Sequence, residues 1–113
     1  MPKELRKLVF TQDELQAAAV AYCYREGMRL PKGILKSVTF GPEEQVCLNF
    51  STLADGGPSR IRLTRDQIGA AIIRYCRSLR IPIPRLGQKV VNPDGDGVAL
   101  LINLQYEKSA SAA

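Results

Sequence analysis

The sequence predicts an α+β fold: a β-α-β-β unit written twice, its two helices packed on one face of a mainly antiparallel sheet. Three observations carry that prediction. First, a shift of 53 residues lays TQDELQAAAVAYC (11–23) on TRDQIGAAIIRYC (64–76), with Thr11 on Thr64, Asp13 on Asp66, Ala17-Ala18 on Ala70-Ala71 and Tyr22-Cys23 on Tyr75-Cys76. Second, both segments carry a helical apolar stripe behind a capping signature. Third, each is followed by short apolar runs separated by Gly, Pro, Asn and Asp, the punctuation of hairpins. The shift continues beyond the helices: Pro31 falls on Pro84, Lys36 on Lys89, Val38 on Val91, and Lys32 on Arg85 with its charge kept. Cys47–Phe50 resembles Leu101–Leu104 once one extra residue is allowed. Two copies at this spacing fit a pseudo-twofold domain better than a solenoid.

The elements follow in order. KLVF (7–10) alternates enough for a strand. Thr11 then caps a helix and Glu14, three residues on, completes a capping box. Leu15, Ala18, Ala19, Tyr22 and Cys23 form its buried stripe, and Gly27 suits its end. SVTF and QVCLNFS flank the turn at Gly41–Glu44 and read as a hairpin. The second copy opens on RIRL (60–63), caps with Thr64 and Gln67, and buries Ile68, Ala71, Ile72, Tyr75, Cys76 and Leu79. Pro82 stops this helix by about Arg80. KVV and VALLINLQY then flank a turn at Asn92–Gly97. The units are expected at about 7–53 and 60–106, joined by LADGGPS (53–59), in one domain over 1–107. A small polar tail is expected over 108–113.

Bulk properties narrow the function. With 45% apolar and 24% charged residues the chain is ordinary for a globular protein, so wholesale disorder is excluded. No apolar run approaches the length of a membrane span, and MPKELRKLVF lacks a secretory apolar region. A cytoplasmic location and no membrane partner are expected. Cys23, Cys47 and Cys76 are odd in number and widely spaced, which fits neither a disulfide framework nor a CxxC site. With no histidine in the chain, the usual neutral-pH base is missing and no nucleophile–base or metal constellation is visible. No catalysis, cofactor or metal is therefore expected. Asn92–Gly97 fails the pattern of a calcium loop, and the glycines of 53–59 lack a P-loop lysine.

Two features point to binding. AAAVAYCY is apolar nearly all round, so the first helix shows a second face at Ala17, Val20, Ala21 and Tyr24; the second helix shows Ala70 and Ile73. A small non-catalytic interaction module is expected, self-associating as a homodimer or docking a protein through the helix layer. The second feature is charge. Residues 1–53 carry seven Lys/Arg against six Asp/Glu, whereas residues 54–113 carry nine against five. The alternative expectation is nucleic-acid binding through Lys32, Lys36, Arg74, Arg77, Arg80, Arg85 and Lys89. It assumes that Pro31 and Pro84 each start a short helical turn that aligns Lys32 with Lys36 and Arg85 with Lys89.

Overall fold

A computed structural model describes residues 2–43, 45–51 and 58–105. The elements run β1 (Lys3–Phe10), α1 (Gln12–Arg25), β2 (Ile34–Phe40), β3 (Gln45–Ser51), β4 (Pro58–Thr64), α2 (Arg65–Ser78), β5 (Gln88–Asp94) and β6 (Gly97–Gln105). The fold class is α+β, with every strand pairing antiparallel. Most of the expected joint and all of the expected tail lie outside the described residues; Pro58 and Ser59 open β4.

The single sheet expected from the sequence is replaced by two three-stranded sheets, β1-β6-β5 and β2-β3-β4. Each hairpin recruits its third strand from the other half of the chain. Phe10, at the end of β1, pairs with Val98, and Leu63, one residue before the end of β4, pairs with Val46. The hairpin strands β2 and β5 are left as edges, and both carry an edge feature. The register of β2 breaks between Leu35 and Ser37, and β5 contains Pro93, which has no N–H to donate.

Both helices begin where the sequence places them. Thr11 Oγ1 accepts from Glu14 N at 3.2 Å and Glu14 Oε1 accepts from Thr11 N at 2.8 Å; Thr64 and Gln67 repeat the pair at 3.1 and 2.8 Å. Each capping box satisfies two helix-end groups that would otherwise lack partners. The helices pack side by side, and each touches both sheets. One buried cluster draws Leu15, Ala19 and Cys23 from α1, Ile68, Ile72 and Cys76 from α2, and Leu48 and Leu100 from the two central strands. Tyr75 is half-buried, and Leu79 leaves the stripe, 51% exposed, because α2 ends at Ser78.

Three local expectations are corrected. No helical turn follows Pro31 or Pro84: Gly33 (φ 156°) and Gly87 (φ 103°) lead the chain directly into β2 and β5. Asn92–Asp94 belong to β5, which leaves only Gly95 and Asp96 between the strands. The one-residue allowance expected between 47–50 and 101–104 also runs the other way: Val38 pairs with Leu48 and Val91 with Leu100, so the register between the hairpin strands is one residue closer in the second hairpin, not one wider.

Candidate functional site

The second apolar face of α1 is not covered by α2. The residues that α1 turns inward are Leu15, Ala18, Ala19, Tyr22 and Cys23. Ala17, Val20, Ala21 and Tyr24 instead line an open groove against Leu35 of β2, about 580 Å³ in volume, with Asp13 and Gln16 at one end. Ala17 and Ala21 are exposed, Val20 is half-buried, and Tyr24 is 73% exposed. The groove is anchored from below. Gln12 Nε2 donates to Val38 O at 3.2 Å and its Oε1 accepts from Val38 N at 2.7 Å; Gln12 Nε2 also donates to Asp96 O. One side chain thus ties the start of α1 to both hairpins.

Ala70 and Ile73 do not join this surface. They line a separate cavity of about 530 Å³ between α2 and β5, with no lining residue in common with the α1 groove. The six apolar residues singled out from the sequence therefore divide four to two.

The basic residues do not act as one group. Arg74 points inward: its guanidinium carbon lies 5.1 Å from the Tyr22 ring centroid and its NH1 3.6 Å from Glu26 Oε2. Lys89 Nζ folds back to donate to the carbonyls of Arg85 and Gly87 at 3.3 and 3.4 Å. Lys36 sits at the register break of β2, where its carbonyl accepts from Gln16 Nε2 at 3.1 Å. Lys32, Arg77, Arg80 and Arg85 are exposed, and Arg80 follows the helix with φ 61°.

The sequence patterns do not single out Arg60 and Arg62 as site residues. On β4 they share the outer face of the β2-β3-β4 sheet, opposite Asn49 and Cys47, and line a shallow depression of about 540 Å³ with Thr39 and Gln45. Asn49 Nδ2 donates to Ser37 Oγ and Thr39 Oγ1, both at 3.1 Å. No carboxylate lines this depression among the described residues. The available signal is RIRL itself, since residues two apart on a strand share a face. The other sheet differs. Leu5, Val9 and Val90 are exposed on its outer face, but the Lys7–Asp94 ion pair (3.2 Å) lies across it.

Cys23 and Cys76 are fully buried and unpaired, and burial raises the pKa of both thiols. That suits packing rather than nucleophilic chemistry. Among the described residues no group of three or more His, Cys, Asp or Glu side chains gathers as a metal site, and no helix is long and apolar enough to cross a membrane. Compared with models of protein families, with curated proteins and with solved structures, the chain finds no match.

Proposed function

We propose that the protein is a small non-catalytic interaction module of the cytosol that self-associates through the outer face of α1. The observation that carries the reading is the stripe Ala17, Val20, Ala21 and Tyr24, apolar and only partly covered at the edge of Leu35. A second copy is the occupant that fits this stripe. Laid antiparallel about a point between Val20 and Ala21, two α1 helices set the large Tyr24 of each over the small Ala17 of the other, and Val20 against Ala21. The same arrangement carries Asp13 past the partner's Arg25, the last residue of α1, and away from the partner's Asp13, whereas a parallel pair would set Asp13 against Asp13. Neither residue has an ion-pair partner among the described residues.

One helix stripe buries less than the roughly 800 Å² per partner of a standard interface, so the dimer is weak, with a Kd of about a micromolar or above. Sedimentation over a range of loading concentrations tests this. The wild type should show reversible dimerisation. Val20→Asp should stay monomeric with an unchanged melting temperature, and Val9→Lys, on the outer sheet face, should dimerise like the wild type. A wild type that is monomeric at all concentrations, or dissociation by Val9→Lys but not Val20→Asp, would contradict the reading.

The chain is further read as one β-α-β-β unit present twice in a single domain, which makes α1 and α2 variants of one helix. Support comes from the paired capping boxes, the matched registers and the equivalence of Gln12–Val38 with Arg65–Val91, where Arg65 NH1 donates to Val91 O at 3.3 Å. Three unpaired thiols fit a reducing compartment.

Nucleic-acid binding is the second reading, and Arg60 and Arg62 favour it more than the repeated Pro-base segments do. A sheet-face depression with two guanidinium groups and neutral hydrogen-bonding side chains suits phosphates. Single-stranded DNA should be retained at low salt and released as salt rises, with Arg60→Glu/Arg62→Glu losing retention. Equal retention of that variant would remove this reading.

A further inference from the structure

Gly69 occupies the middle of α2, where glycine costs roughly 0.5–1 kcal/mol relative to alanine. Its conformation does not require glycine, because it is neither a turn nor a positive-φ position. Packing does not require it either: an added Cβ would meet only Val91 Cγ2, at an ordinary 3.6 Å. The residue 53 positions earlier is Gln16, and it is used. Its Nε2 donates to Gln12 Oε1 and to Lys36 O, both at 3.1 Å, closing the seam between α1 and β2. At the matching seam between α2 and β5 the side chain is missing, and the cavity of about 530 Å³ opens there.

That cavity combines an apolar wall with unequal charge. Ala70, Ile73, Val91 and Leu100 supply the wall. Among the described residues Lys89 and Arg65 line it against a single carboxylate, Asp66. Arg65 is already engaged, donating to Val91 O and lying with its guanidinium carbon 5.4 Å from the Phe40 ring centroid. Among the described residues Lys89 is held by two long bonds to carbonyls of the loop before β5, so its ammonium is the group that can turn to a ligand. The volume lies within the range of about 300–1,000 Å³ usual for small-molecule sites.

We propose that the α2–β5 cavity, opened by Gly69, is a binding site for a small monocarboxylate with a short apolar body. The carboxylate pairs with Lys89, and the apolar body lies along Ala70 and Ile73 in the space a residue-69 side chain would fill. Asp66 at the rim selects against a second negative charge. The site is separate from the α1 groove, so its test does not depend on self-association.

The probe is octanoate, titrated into isotopically labelled full-length protein and followed by amide chemical shifts, with octanol and octylammonium as neutral and cationic counterparts. Octanoate should perturb Gly69, Ala70 and Val90 and bind more tightly than either counterpart. Lys89→Gln should remove that preference for octanoate over octanol. Gly69→Gln should weaken octanoate about tenfold or more while the melting temperature stays equal or rises, so lost binding cannot be lost folding. The proposal is overturned if octanoate perturbs other surfaces or none, if octylammonium binds as well, or if Gly69→Gln binds like the wild type. It is also overturned if Gly69→Gln lowers the melting temperature, because the glycine would then serve packing.

Discussion

Arg74 lies over the ring of Tyr22, its guanidinium carbon 5.1 Å from the ring centroid, and so joins the two helices across their seam. Its 3.6 Å approach to Glu26 adds little, because both side chains are more than a third exposed and such pairs contribute about 0–1 kcal/mol. A double-mutant cycle of Arg74→Ala and Tyr22→Leu, read by denaturant unfolding, should give a coupling of about 0.5–2 kcal/mol. Coupling near zero would mean that Arg74 is a surface cation like Arg77.

The two caps should behave alike. Thr11→Ala and Thr64→Ala each remove the bond from the backbone N–H three residues on to the threonine hydroxyl, at the same helix position, and leave the reciprocal bond from the residue's own backbone N–H in place. Each should cost about 1 kcal/mol, and the double variant about the sum. Thermal unfolding of the three variants checks this; one silent cap would show that the two helices do not contribute alike.

Gly97 should tolerate no side chain. An added Cβ would stand 2.0 Å from the carbonyl oxygen of Phe10, at the point where β1 hands over to α1. Relief requires moving backbone, so Gly97→Ala should lose about 3 kcal/mol in urea unfolding. At Gly95 an added Cβ meets nothing, and only its φ of 59° opposes substitution. Gly95→Asn should therefore be nearly neutral, since asparagine tolerates that conformation.

The buried thiols should make the fold sensitive to alkali. Cys23 and Cys76 are held protonated by burial, with pKa values above the ordinary one. The stabilisation is complete below the pKa of the unfolded thiol, about 8.5. Above it the unfolded chain releases protons that the folded chain keeps, so stability falls until pH passes the raised folded values. The slope reaches at most about 1.4 kcal/mol per pH unit for each thiol. Unfolding measured from about pH 7 to about 10 should show a steeper decline for the wild type than for Cys23→Ala/Cys76→Ala. Equal slopes would mean the thiols ionise in the folded state as freely as in the unfolded one.

Local grammar was legible wherever one residue's chemistry decides. Thr11 with Glu14 and Thr64 with Gln67 mark helix starts, and QVCLNFS matches β3 residue for residue. Partner choice was not legible, because nothing in KELRKLVF says that it pairs with residues near 100 rather than with the hairpin that follows it in the chain. The helical turns read after Pro31 and Pro84 failed because Gly33 and Gly87 let the chain enter the strands at once. Arg74, Arg77 and Arg80 look like one basic face at spacing three. At about 3.6 residues per turn, however, that spacing drifts around the helix, so Arg74 faces α1 while Arg80 lies beyond the helix end. The outer stripe of α1 was legible because Ala, Val and Tyr recur there at helical spacing. The α2 cavity was not, since only an unexplained glycine inside a helix hints at it.

Cross-linking of single cysteines placed on α1 tests the antiparallel pairing most directly. Residue 21 lies beside the proposed twofold axis and residue 13 lies at the far end of the stripe. In a Cys47→Ser background, mild oxidation should join Ala21→Cys into a disulfide dimer and leave Asp13→Cys monomeric. No dimer from Ala21→Cys, or equal yields from both positions, would contradict the pairing of α1 with a second copy of itself.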